Sequence, residues 1–415
     1  MKQPAPWRVR AASLAAQAIP GLRARDRGAG GHDAYFAALS AALKAAGVAQ
    51  PTFVIDRRRL EANIAVVRAA LAPTSLDLRI AAKSLQAPEL LRKVMNGART
   101  GRLMVFNSVM LTEMAAFAPG ADVLLGRPLP AMAVDAFVRA HGGEATVRPQ
   151  WLIDTPRRLR EYIDIARARV APMRVSFEID VGLHRGGLPG PGALSVALDL
   201  ALAEPLIEVA GLMGYDPHAA GAVSPQGEIT EVIARFGAFV DVLTAGTGRA
   251  PADFILNTAG SLTWRLHLDD LVANEVSIGS AFLKPAHYDA ATLADLMPAA
   301  FIAQPVLKAL DRPLIPGLEG LAGDIEAGDP NHARGFFLYG GYGDARLVSP
   351  KGLAWSRLWG GRGLVTGSRS VALEADDFVF LRPTESEGVA TQFGDIAVFD
   401  GEAISAWWPT FRIAA

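Results

Sequence analysis

Short apolar runs recur along the first three quarters of the chain, each bounded by small or turn-forming residues. The runs at 78–82, 102–106, 122–125, 147–154, 173–180, 208–214, 253–257 and 275–278 predict strands. Between most of them apolar positions return at spacings of three and four, which predicts helices, as at Glu89–Met95, Met110–Phe117, Pro156–Arg169 and Gly190–Ala203. Repeated strand–helix units imply a parallel sheet with crossover helices, and eight such strands close into a barrel. The expected fold class is therefore α/β, a (β/α)8 TIM-type barrel.

Ahead of these units, Pro51–Asp56 reads as a strand, and Leu60, Ile64, Val67 and Leu71 form one apolar stripe of a following helix. Residues 1–50 read as a helical lead-in, with helix formers from His32 to Ala46 closed by Gly47. From about residue 299 the period shortens to alternating runs, broken at Pro313, Pro316, Gly317, Gly340, Gly341, Gly360 and Gly361. These are signals of a β domain. The expected organisation is a lead-in at 1–50 that packs on the β domain, a barrel at 51–298 and the C-terminal β domain at 299–415.

A chain of 415 residues with 51% hydrophobic content can bury more than one large core. Its 41 basic and 42 acidic residues leave a formal charge of -1, so no overall basic field favours nucleic acid. The absence of cysteine excludes disulfides, thiolate zinc sites and cysteine nucleophiles, and fits a reducing compartment. Residues 11–20 are alanine-rich after Arg8 and Arg10, but Arg23, Arg25 and Arg27 follow instead of a cleavage site. No run approaches the roughly 18 apolar residues of a membrane span. These features predict a cytoplasmic protein with neither a nucleic-acid nor a membrane partner.

The run at 78–82 ends on Lys83 and Ser84. Burial at a strand end disfavours an ammonium, and a neutral amine attacks carbonyl carbon. In barrels of this type the chemistry sits at the C-terminal ends of the strands, which is where Lys83 falls. Phe177–Gly187 runs from a strand into a glycine-rich turn carrying Arg185, suited to an anionic or phenolic oxygen. Gly211–His218 repeats that theme with Tyr215 and His218. After the last two strands come Asn257-Thr258-Ala259-Gly260-Ser261 and Ile278-Gly279-Ser280, small-residue loops of the kind on which a phosphate rests. Together with a strand-end lysine they point to a phosphate-bearing cofactor.

With these stretches in view, the chain resembles the fold type III pyridoxal 5'-phosphate (PLP) enzymes. Within them it is similar to the D-threonine aldolase and D-serine dehydratase branch of the alanine-racemase-like superfamily. The matching pieces are PTFVIDRRRLEANI at 51–64, LRIAAKS at 78–84, EIDVGLHRGG at 178–187, GLMGYDPHA at 211–219, NTAGS at 257–261 and NEVSIGSAFLKPAHYD at 274–289. GGYG at 340–343 and LRPTESEG at 381–388 extend the match more weakly.

The resemblance implies a PLP site in the barrel and a homodimer in which each β domain helps close the partner's site. It casts Lys83 as the Schiff-base lysine, Arg185 as the arginine near the cofactor ring, and Tyr215 as a partner of the ring nitrogen with His218 beside it. Asn257, Gly260, Ser261, Gly279 and Ser280 become phosphate contacts. Two departures stand out. Ala81 and Leu85 replace histidines flanking the lysine, and Ala406 and Trp408 replace the family's metal ligands before Pro409-Thr410. No metal is therefore expected. The chain looks like the subgroup labelled D-serine deaminase-like.

In place of a metal, acid–base work falls to Glu385, Glu387, Tyr339, Tyr342 or His332. The reading is a PLP-dependent lyase acting at Cα/Cβ of a small D-β-hydroxy amino acid, as a dehydratase-deaminase or aldolase. One rival is a racemase or epimerase with Tyr342 or Tyr339 as second base. The other is a PLP-binding homeostasis protein without turnover, against which the added β domain argues.

Overall fold

The computed structural model describes residues 24–141, 147–315, 317, 319–340, 344–356 and 363–411. Two compact units divide the chain. The barrel unit comprises Arg59–Met297, Ser386–Thr391 and the residues from Pro409. The sheet unit comprises the residues up to Arg58, Pro298–Glu385 and Gln392–Trp408.

In the barrel unit eight parallel strands close on one another in chain order. They are β2 (Asp77–Ala81), β3 (Arg102–Val105), β4 (Asp122–Leu125), β5 (Gln150–Ile153), β6 (Met173–Glu178), β7 (Ile207–Met213), β8 (Ile255–Thr258) and β9 (Glu275–Ile278). The ring is completed by β9 against β2, with Leu78 opposite Val276 and Ile80 opposite Ile278. Every strand candidate between 78 and 278 is thus a barrel stave, and the (β/α)8 expectation holds.

The crossover helices start and stop where side chains satisfy free backbone groups. Asn107 accepts from the Met110 amide to open Ser108–Phe117, and Thr155 accepts from the Arg158 amide to open Pro156–Arg169. Ser224 does the same for Pro225–Thr247, which Gly248 ends in the left-handed conformation. The predicted stripe Leu60, Ile64, Val67 and Leu71 is buried on the helix Arg57–Leu71.

Inside the barrel runs a fully bonded polar network. Arg79, with no exposed surface, places Nε 2.5 Å and Nη2 2.9 Å from the two carboxylate oxygens of Glu275. Its Nη1 donates to the carbonyls of Leu103 and Asp122, each at 2.9 Å. Glu275 also accepts from Arg102 and Asn257, and the Asp122 carboxylate accepts from Gln150, which in turn accepts from Ser176. A buried ion pair is tolerated only when its remaining hydrogen-bonding capacity is met, as it is here.

The sheet unit holds nine strands: β1 (Thr52–Asp56), β10 (Ala300–Leu310), β11 (Arg334–Leu338), β12 (Ala345–Ser349), β13 (Ala354–Trp355), β14 (Leu364–Gly367), β15 (Phe378–Pro383), β16 (Ile396–Phe399) and β17 (Ile404–Trp408). All pairings are antiparallel except β1 with β16. The strand read at Pro51–Asp56 is real, but it pairs with β10 and β16 and is not a barrel stave. The lead-in helix α1 (Ala34–Ala45) packs Phe36, Leu39 and Leu43 with Phe301, Phe378, Phe380 and Phe399. Among the described residues no helix is long and apolar enough to cross a membrane.

Candidate active site

A cavity of about 430 Å³ opens among the C-terminal ends of the barrel strands. Lys83 enters it from the 3-10 turn Ala82–Ser84 that follows β2. Its Nζ lies 2.6 Å from Oε1 of Glu387 and 4.2 Å from the centroid of the Phe106 ring. Glu387 is its ionic partner, and the Lys83 side chain is 24% exposed. The pairing is non-local, because Ser386–Thr391 belongs to the barrel unit and carries Glu387 to the lysine.

The loops after β8 and β9 form a small-residue wall. Ser261 Oγ accepts from the amides of Gly279 and Ala281 at 3.0 and 3.2 Å. The Ser280 hydroxyl meets Ser84 Oγ at 3.0 Å and accepts from Ser386 Oγ at 2.8 Å. A Cβ on Gly279 would lie 2.7 Å from Ser84 Oγ, and one on Gly260 would lie 2.6 Å from the Tyr215 ring, so neither position admits a side chain without movement. The Gly260 and Gly279 amides are already donated to Thr263 and Ser261. Among the described residues the amides of Ser261 and Ser280 have no such partner, and they remain available to an anion.

Arg185 is held by the turn after β6. The Asp180 carboxylate accepts from the amides of Gly182 and His184 at 2.9 and 3.0 Å and from His184 Nδ1 at 2.8 Å. Burial pushes that carboxyl up, but these hydrogen bonds outweigh it and hold the group below the usual range. Gly187, at φ +88°, lets the chain fold back so that Leu188 bonds to Glu178. The Arg185 guanidinium then lies 4.8 Å from the centroid of the Tyr215 ring. Asn257 donates to Glu275 and to Ser277 Oγ, which joins the cavity wall to the interior network.

Lys83, Arg185, Tyr215, Asn257, Gly260, Ser261, Gly279 and Ser280 therefore share one cavity. His218 is not among its lining residues and sits 3.5 Å from Glu228. Tyr342 lies outside the described residues. Glu385, Tyr339 and His332 belong to the sheet unit, as do Ala406 and Trp408 on β17. Among the described residues no group of three or more His, Asp or Glu side chains is placed to hold a metal ion.

Residues 55–285, more than half of the chain, match the model of the alanine racemase N-terminal domain. The chain belongs to that family. No curated protein matches it. D-threonine aldolase from Filomicrobium marinum superposes with a TM-score of 0.71 at 16% identity, over 88% of this chain and 95% of that one. D-threo-3-hydroxyaspartate dehydratase from Delftia sp. HT23 gives 0.67 at 15% identity, over 88% and 98%. Alanine racemase from Bacillus anthracis gives 0.66 at 13% identity, over 87% and 97%. At such identities the likeness establishes the alanine racemase fold.

Within this alanine racemase-like barrel the cavity holds further groups that sequence reading passed over: Phe106, Arg127, Asp154, Glu178, Ser277 and Tyr288. Four of them, Phe106, Arg127, Asp154 and Glu178, sit at or just beyond the ends of β3, β4, β5 and β6, so the strand-end rule applied to every stave would have found them. Burial pushes the Glu178 carboxyl up, against the attraction of Arg185. A Cβ on Gly126 would lie 2.4 Å from the Phe106 ring, so glycine is required before Arg127 for the aromatic to stand beside Lys83.

Proposed function

We propose that the protein is a PLP-dependent lyase that acts at Cα/Cβ of a small D-β-hydroxy amino acid without a catalytic metal. The observation that carries this reading is the Lys83–Glu387 pair, 2.6 Å apart at the mouth of a family-defining barrel. The residues present fit the cofactor. A strand-end amine lines a cavity that also holds two close-packed glycines, Ser261 and Ser280 with their undonated amides, and the linked hydroxyls of Ser84 and Ser280, a donor set matched to a phosphate.

Lys83 would hold the cofactor's aldehyde carbon, the Ser261 and Ser280 amides with the Ser84 and Ser280 hydroxyls its phosphate, and Arg185 with Tyr215 its ring. When bound, PLP supplies an aldehyde for amine capture and an electron sink for a negative charge at Cα. Lys83 Nζ is the base for the Cα proton once its amine is free. For dehydration Glu387, in contact with Nζ, takes the lysine's proton and delivers one to the departing β-hydroxyl oxygen; for aldol cleavage it takes the β-hydroxyl proton as Cα–Cβ breaks, a role a metal would otherwise fill. Arg127 has no carboxylate within 4.0 Å among the described residues and is left to orient the substrate carboxylate. In this reading the active form is a homodimer, which light scattering of the purified protein checks.

The test is borohydride reduction of the protein as isolated, followed by peptide mapping, then addition of D-serine and D-threonine in chelator. Label on Lys83 with oxo acid or glycine released despite chelator is the expected result. Proton exchange at Cα without bond cleavage would favour a racemase, and no label on Lys83 would end the reading.

A further inference from the structure

Behind the cavity wall lies a buried charged cluster that the proposed chemistry does not use. His267, on the 3-10 turn Trp264–His267, is 1% exposed. Both of its ring nitrogens face carboxylates: Nε2 lies 2.6 Å from Oδ2 of Asp216, and Nδ1 lies 2.8 Å from Oδ2 of Asp270. Both aspartates are buried as well. An ionised carboxylate only accepts hydrogen bonds, so each ring nitrogen carries a hydrogen and the imidazole is a cation.

The cluster reaches the site by two routes. Asp216 Oδ1 accepts from Thr263 Oγ1 at 2.5 Å, and Thr263 Oγ1 accepts from the Gly260 amide at 3.0 Å. Asp216 also follows Tyr215 directly, and the Tyr215 ring packs on Gly260 too closely for a Cβ to intervene. The ring wall and the phosphate wall are thus tied through one carboxylate. Two aspartates and one imidazolium leave a single net negative charge buried behind a place suited to an anion. Loss of the His267 proton would double that charge and leave one ring nitrogen unable to donate.

We propose that His267 is a positioning residue: the cation that holds Asp216 in place and keeps the turn after β8 able to receive a phosphate. The inference rests on the cofactor reading above for the identity of the phosphate. Titratable groups on the elements packed against this turn are Arg265, Asp269 and Asp270 beside it, Asp216 and His218 after β7, Glu228, Glu231, Arg235 and Asp241 on Pro225–Thr247, and Glu275 on β9. Of these, Asp216 and Asp270 contact the imidazole. Burial pushes the imidazole down, but the hydrogen bonds of Asp216 and Asp270 outweigh it and raise the group to about 9, so the cation persists through neutral pH.

The experiment measures dissociation constants of PLP, of pyridoxal and of inorganic phosphate on the full chain from pH 7 to 10, for wild type, His267→Gln and Asp270→Asn. Wild type is expected to lose about ten-fold in affinity for PLP relative to pyridoxal, and for inorganic phosphate, as pH passes 9. His267→Gln is expected to show that loss already at pH 7 and no further fall. Asp270→Asn, which leaves the Asp216 contact intact, is expected to shift the fall to lower pH. His267→Gln or Asp270→Asn protein with native circular dichroism and wild-type phosphate affinity at every pH would overturn the inference. Wild type that binds inorganic phosphate but no PLP would end the cofactor reading alone, and the phosphate series would still decide the role of His267.

Discussion

Two parts of the same barrel interior carry the same kinds of residue and treat them in opposite ways. Around Arg79 each guanidinium nitrogen has a partner and each Glu275 oxygen is bonded, with no exposed surface on either side chain. At the C-terminal strand ends Arg127 and Arg185 rest on aromatic rings, 5.7 Å from Phe106 and 4.8 Å from Tyr215, with no carboxylate within 4.0 Å among the described residues. A buried charge must be bonded in the folded chain itself, whereas a charge at a cavity wall can wait for a ligand. The difference separates groups that hold the barrel from groups that recognise something.

The contrast breaks if the open end proves structural or the closed end proves catalytic. The largest effect is expected from Lys83→Ala, which should lower turnover at least ~10³-fold and abolish reductive labelling while leaving the urea midpoint unchanged. Replacing Arg79 with Met should instead cost about 3–5 kcal/mol of stability, because it strands Glu275 without its main counter-ion; chemical denaturation reads this, and the folded fraction should turn over within a few-fold of wild type. Glu387→Gln should lower kcat by about 10²-fold while labelling at Lys83 persists, the signature of a lost proton donor and not of a lost cofactor.

A smaller effect is expected with pH. His267 is raised in the fold to about 9 from the ordinary 6.5. Its contribution to stability is therefore complete below pH 6.5 and is lost as pH rises toward 9. Urea midpoints measured from pH 6 to 9.5 should fall over that window, and His267→Gln should flatten the slope. Smallest of all, Arg169→Ala, which removes an exposed pair with Asp135 on the outer helices, should leave the midpoint unmoved.

Local pattern was enough to read the staves, because a buried parallel strand is an apolar run bounded by turn residues wherever it occurs. Pairing partners were not legible in the same way. Thr52–Asp56 looks like any other strand, yet its neighbours are residues near 300 and 398, and nothing in its own composition says so. The loops carrying Lys83, Arg185, Tyr215, Ser261 and Ser280 announced themselves through small residues after a strand. Arg127 and Asp154 did not, since each is a single charged residue at a strand end with no glycine cluster after it, and Glu178, the last strand residue before the glycine-rich turn, was overshadowed by Arg185. Glu387 could be named from the sequence as one of several acid–base candidates, but its contact with Lys83 depends on a return of the chain that no local signal marks.

That return has a consequence for the birth of the molecule on the ribosome. Lys83 is made some 300 residues before its carboxylate partner, and synthesis at 5–20 residues per second puts roughly fifteen seconds to a minute between them. A nascent barrel can close once Ile278 has emerged, but its amine stays without Glu387, and Ser280 without Ser386, until the segment carrying both has followed. The order of synthesis therefore acts as a timer: the barrel takes shape before the pair that we assign to its chemistry is assembled.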